Sequence, residues 1–276
     1  MIGILSSIII SLIVIGVLVI VHEFGHFIVA KKCGVWVEEF AVGMGKKICS
    51  KQIGETEYSL RLFPLGGFCR LHGETEEGEI TERSFLAKSV WARMAIMAAG
   101  PIMNFLLAII LIFGLSASGY IIQPKVAAVL DGSPAQEIGL QEGDEIYRIN
   151  GDRIHIYDEM QAIMLQNGGE PIDLEIKRDG MIYEYELTPQ YSEETQSYLV
   201  GFTPTIKNGI FAEKVEGYDT ASVLETVHYS YYAMLNYVKL TAEGLARVFT
   251  MQASPDEYGG PISIVKVVGD SYEAGL

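Results

Sequence analysis

The sequence predicts a multi-pass α-helical membrane protein with a cytoplasmic β-hairpin region and an inserted extracytoplasmic α+β domain. Three observations carry that reading. Hydrophobic residues make up 49% of the 276, yet the formal net charge is −15. The apolar residues gather in long uncharged runs, and the acid gathers between and after them. The basic residues are also unevenly placed: residues 31–93 hold ten Lys and Arg against nine acids, whereas 116–222 hold seven against nineteen. Basic residues near helix ends mark the cytoplasmic side. Lys31, Lys32, Lys88 and Arg93 therefore put 31–93 inside and 116–222 outside.

Taken in order, residues 2–21 are uncharged and almost wholly apolar. At about 1.5 Å per residue they cover the ~30 Å hydrocarbon core. A signal peptide fits poorly, because there is no basic start, the run is too long and no small-residue cleavage site follows. The helix instead continues through His22, Glu23 and His26, giving a span over about 2–30. Strand-like residues over 58–70, with a turn at 64–67, define a hairpin region at 48–74. The second span, 94–115, contains Gly100-Pro101: proline suits a helix start and glycine a close helix approach. Asn104, one turn further, is expected to hydrogen-bond between helices. A third span is expected at 227–249, although Lys239, Glu243 and Arg247 also suit an amphipathic helix lying in the interface.

The acidic middle reads as short strands with one or two helices. Gly132-Ser133-Pro134-Ala135 precedes a short helix ending at Gly139-Leu140, and Asn150-Gly151 marks a tight turn. Residues 157–166 suit a helix, and 172–177 and 183–187 pair across Asp179-Gly180. The acidic balance excludes a nucleic-acid binder, which needs clustered Lys and Arg. Cys33, Cys49 and Cys69 are odd in number with no C-x-x-C pair, which excludes a disulfide framework and a cysteine zinc site.

The chemistry lies in His22-Glu23-Phe24-Gly25-His26, an H-E-x-x-H pattern. On a helix, positions i and i+4 share a face, so two imidazoles can hold one Zn2+ while the glutamate serves as general base. Two histidines and an acid at the end of an apolar helix are costly in hydrocarbon unless they work together.

These residues bring a family into view. The chain resembles the site-2 protease family, in particular the bacterial regulator-of-sigma-E protease group with an inserted PDZ domain. The resemblance rests on residues 21–45 around HEFGH, 58–74 (YSLRLFPLGGFCRLHGE), 97–108 (MAAGPIMNFLLA) and 259–265 (GGPISIV), together with the order GSPA, AxxxGLxxGD, IxxxNG in the middle. It implies an N-terminal membrane protease core over 1–115, a PDZ-like domain over 120–206, and a third membrane helix with the start of a C-terminal core over 222–276. It implies a membrane-re-entrant β element beside the active site, whose strand edge could hold an unwound substrate. It also implies intramembrane zinc metalloprotease activity on single-span membrane proteins, such as an anti-sigma factor or a signal-peptide remnant, in the bacterial cytoplasmic membrane. The PDZ-like domain would take a peptide or C-terminus by strand addition.

One part of the family's pattern is missing. A catalytic zinc needs three protein ligands, and the family takes its third from an Asp in a late L-D-G motif. Leu130-Asp131-Gly132 matches in letters but lies at the first strand of the PDZ-like region, outside any apolar run. Asp256 and Asp270 lack the motif, and no spacing argument favours Glu38, Glu39 or His72. The expectation is a partial chain whose third ligand lies beyond Leu276. The alternative is an inactive membrane-anchored PDZ adaptor or pseudoprotease. A zinc transporter or sensor would leave the PDZ-like insert unexplained.

Overall fold

The computed structural model describes residues 2–75, 80–193 and 197–250. The described chain divides into two compact units, one over 2–108 and the other over 109–249. The motif at 259–265, Asp256, Asp270 and the expected start of a C-terminal core lie outside the described residues.

In the first unit, helix α1 (Ile2–Lys32) opens the chain. Lys31 and Lys32 in its last turn favour the negative end of the helix dipole. Gly34 at φ +70° closes it, and Val35 N–H donates to Ala30 O at 2.9 Å. Strands β1 (Val37–Ile53) and β2 (Thr56–Leu71) follow as one long antiparallel hairpin. Its reversal is at Gly54, φ +60°, and not at 64–67 as the sequence suggests. Residues 64–67 lie inside β2, where Gly66 at φ +87° bends the strand. The hairpin folds back on itself: Glu39 lies opposite both Arg70 and Glu57, and Phe40 opposite both Cys69 and Tyr58. Residues 39–42 are thus flanked on both sides, which leaves 67–71 as an outer edge.

The buried Glu39 ties these layers together. Its carboxylate accepts from Ser59 Oγ at 2.6 Å and Arg61 at 2.7 Å, and pairs with Arg70 at 3.0 Å. Burial alone would push its pKa up. The Ser59 and Arg61 hydrogen bonds, with the Arg61 and Lys47 charges, outweigh that and hold it below the ordinary glutamate value. Helix α2 (Val90–Ser118) completes the unit and continues into the second. Residues Ile8–Lys32 and Val90–Ser118 are long and apolar enough to cross a membrane, and no other described helix is.

The second unit holds a sheet in the order β10-β3-β4-β6-β7. Strand β3 (Tyr120–Val129) leads through helix α3 (Pro134–Glu137) to β4 (Glu145–Ile149), which also pairs with β5 (Asp152–Arg153). Ser133 of the GSPA turn caps α3. Helix α4 (Tyr157–Asn167) follows, then β6 (Ile172–Arg178) and β7 (Met181–Leu187). Asn150-Gly151 and Asp179-Gly180 all take positive φ, as two-residue hairpin turns require. Strands β8 (Gln190–Ser192) and β9 (Ser197–Leu199) form a separate pair, and β10 (Phe202–Asn208) ends the sheet beside β3. Ile146, Ile149, Leu174 and Ile176 fill the core with Met160 and Met164 of α4. The buried Asp144 receives Arg178 through two nitrogens, each at 2.6 Å, a bidentate clasp that raises the pKa of the guanidinium.

Helix α5 (Val223–Phe249) is the helix expected at 227–249. It buries Thr226, Ser230, Ala233 and Asn236 and exposes Leu224, Val227, Tyr231, Leu235 and Val238. Its side chains reach the α+β domain: Tyr229 donates to Asp158 at 2.8 Å, and Tyr232 stacks on His155 with ring centroids 3.8 Å apart.

Candidate active site

Near the end of α1, the H-E-x-x-H spacing places His22 and His26 one turn apart, with ring centroids 4.8 Å apart at 75°. Each ring is fixed through Nδ1 by helix α2. His26 Nδ1 lies 2.7 Å from Ile96 O, and His22 Nδ1 lies 3.3 Å from the Asn104 amide. The two Nε2 atoms then meet in one small space. A Cβ built on Gly100 would sit 2.4 Å from His26 Nε2 and 2.6 Å from His22 Nε2. Gly100 keeps that space open. Gly25 lets the helices approach closely enough to form it, since a Cβ there would stand 2.3 Å from Ala99 O.

Glu23 faces the same cavity of about 590 Å³, with Phe68, Cys69 and Arg70 of β2 on another wall and Phe85 and Met97 adding apolar surface. Gly67 brings β2 against Glu23: its ideal Cβ would lie 3.7 Å from Glu23 Cγ and 2.7 Å from Ala41 O. The outer edge of β2 therefore borders the carboxylate expected to act as base.

The sequence profile of peptidase family M50 matches residues 10–276. The chain belongs to peptidase family M50. A Clostridium perfringens protein named "Putative zinc metalloprotease" is 38% identical over 273 residues, covering 97% of this chain and 76% of that protein. A like-named protein of Clostridium acetobutylicum is 36% identical over 270 residues, covering 98% and 76%. One from Staphylococcus aureus is 28% identical over 358 residues, covering 99% and 82%. Among solved structures, the PDZ domain of an SdrC-like protein from Listeria monocytogenes matches 29% of this chain and 84% of its own, at 20% identity and a TM-score of 0.27. Its counterpart from Listeria innocua matches 30% and 92%, at 19% identity and a TM-score of 0.28.

In this M50 peptidase the donor set suits a borderline-soft metal such as zinc: two imidazole nitrogens converge on one point and a carboxylate stands nearby. Among the described residues no group of three His, Cys, Asp or Glu side chains converges as a metal site. Among the described residues, the other acids considered from sequence are engaged elsewhere. Glu38 pairs with His72 at 2.8 Å, Glu39 is held by its arginines, and Asp131 accepts from Gln136 at 3.1 Å in the turn after β3. The sequence does not reveal Ile96 O as a partner, because a backbone carbonyl carries no residue signature. Nor does it reveal Gly25 as the point of closest approach, although a small residue inside H-E-x-x-H is a signal that could have pointed there.

Proposed function

We propose that this chain is the body of an intramembrane zinc metalloprotease that hydrolyses peptide bonds within or near the transmembrane segment of single-span membrane proteins. The observation that carries the proposal is the convergence of His22 and His26 Nε2 over Gly100, on a helix apolar enough to cross a membrane. The third protein ligand would come from outside the described residues. A bound zinc ion supplies Lewis acidity and brings a water's pKa down to about 7. His22 and His26 would hold the ion through Nε2, with both rings contacted at Nδ1 by α2. Glu23 accepts the proton of the attacking water and returns it to the leaving amine. Phe68, Phe85 and Met97 give the cavity apolar wall. The 67–71 edge offers backbone groups to an unwound, extended substrate, the arrangement that strand addition uses. Backbone exposed in this way suits a site within the membrane only where protein or a water-filled cavity surrounds it.

The topology proposed with this reading places 31–93 on the cytoplasmic side of a bacterial membrane and the PDZ-like domain outside. Strand β10 ends the sheet order, so a peptide or C-terminus would add beside it. For α5, the charged Glu225, Lys239, Glu243 and Arg247 and the contacts with the α+β domain favour lying along the interface over crossing. The test is cleavage of a single-span substrate co-reconstituted in liposomes. Glu23→Gln should retain zinc and lose cleavage; unchanged cleavage by that variant sinks the mechanism.

A further inference from the structure

Asn104 lies in α2 one helical turn past Gly100, and its amide sits 3.3 Å from His22 Nδ1. In that arrangement Nδ2 faces the ring, and Oδ1 is buried with no hydrogen-bond partner. The pairing has a chemical consequence. If the amide donates to Nδ1, the single proton of a neutral imidazole is left on Nε2, the nitrogen that faces the space over Gly100. That tautomer cannot offer Nε2 to a metal. A half-turn of the amide exchanges its two ends, which are nearly equal in size. Oδ1 then accepts from Nδ1–H, the idle oxygen gains a donor, and the Nε2 lone pair is free. His26 already has this arrangement, because the group facing its Nδ1 at 2.7 Å is an acceptor, Ile96 O.

We infer that Asn104 is a positioning residue for metal binding: its side-chain oxygen holds His22 in the tautomer that presents Nε2 to the ion. The inference rests on the metalloprotease reading above and deepens it. Its parts are unequal. Ile96 O is main chain and can only accept, so His26 is set permanently. Asn104 can present either end, and only its oxygen end leaves the His22 Nε2 lone pair free. Acceptors behind ligating histidines fix ring and tautomer and raise ligand basicity.

Two substitutions separate the oxygen's role from packing. Asn104→Leu keeps the approximate volume and removes both polar ends. Asn104→Asp keeps an acceptor and cannot donate when ionised. The measurement is Zn2+ affinity of the full chain in detergent, by competition with a chromogenic chelator, alongside the visible absorption of the Co2+-loaded protein. Asn104→Leu should weaken zinc about 10–100-fold and alter the Co2+ spectrum, while Asn104→Asp should bind within about threefold of wild type or more tightly. Should the Leu variant fail to fold, the Asp variant decides alone: zinc weakened tenfold or more there means that the NH2 end matters, and overturns the inference. Unchanged zinc affinity in a folded Asn104→Leu overturns it equally. Full-length wild-type protein that binds no zinc brings down the metalloprotease reading and this inference together, whereas zinc bound equally by wild type and Asn104→Leu refutes this inference alone.

Discussion

Replacing Gly100 with alanine puts a methyl group where the two ligand nitrogens meet. The new Cβ would stand 2.4 Å from His26 Nε2 and 2.6 Å from His22 Nε2. Ordinary contact begins at 3.4 Å, so the rings must retreat by 3.4 − 2.4 = 1.0 Å and 3.4 − 2.6 = 0.8 Å. Metal–ligand distances tolerate only about 0.2 Å. The helix itself should not object, since alanine is favoured over glycine in a helix interior by roughly 0.5–1 kcal/mol. The variant should therefore keep its helical content and thermal midpoint while binding zinc at least ~100-fold more weakly, beyond the usual effect of losing a supporting contact behind a ligand. Gly114→Ala is the control on the same helix, because a Cβ there meets nothing within 4 Å. Chelator competition on both variants, with circular dichroism, decides the matter. Zinc affinity within about threefold of wild type in Gly100→Ala would refute the convergence of the two imidazoles on that space, since displaced first-ligand nitrogens cost more than the ~10-fold lower bound for their supports.

Three further outcomes follow from the structure. Glu39→Ala strips a buried carboxylate from Arg61, Arg70 and Ser59; it should cost roughly 3–5 kcal/mol, read as a lowered thermal midpoint and faster proteolysis of the hairpin. Asp144→Ala leaves Arg178 without its clasp and should destabilise the α+β domain by a similar amount, about 3–5 kcal/mol, without changing zinc affinity. Glu225 is pulled down to about 2 from 4.5, chiefly by the hydrogen bond from Lys207 and then by the Ser222 backbone. A depressed carboxyl stabilises the folded state above its unfolded pKa and loses that contribution as pH falls through the folded one. The stability gap between wild type and Glu225→Gln should hold at neutral pH, shrink from about pH 4.5 downward and vanish near pH 2, followed by thermal melts across that range; a gap that does not change with pH contradicts the Lys207–Glu225 pairing.

The parts legible in the sequence are those fixed by local chemistry. Asn150-Gly151 and Asp179-Gly180 announce hairpin turns because few residues accept positive φ. The spans over about 2–30 and 94–115 announce themselves by apolar length, and His22 and His26 by helical period. The hairpin is harder. Pro64 and Gly66-Gly67 look like a turn, yet the reversal is at Gly54, because pairing of 39–42 on two flanks and the Glu39 cluster decide the register, and neither is local. Helix α5 is legible as a helix, but its partners Asp158 and His155 lie some seventy residues earlier in the chain. The link from Asn104 to His22 crosses 82 positions and joins two helices whose contact depends on Gly25 and Gly100.

The proposed chemistry is hydrolysis by a metal held at His22 and His26 with Glu23 as base. Its most direct test uses the full-length protein and a single-span substrate in the same liposomes, with the cut mapped by mass spectrometry. The expected cut lies within or next to the substrate's transmembrane segment, abolished by a zinc chelator, restored by Zn2+ and absent in Glu23→Gln despite retained zinc. Cleavage that survives chelation or the Glu23→Gln change, or zinc bound equally well after both histidines are replaced, would contradict that chemistry.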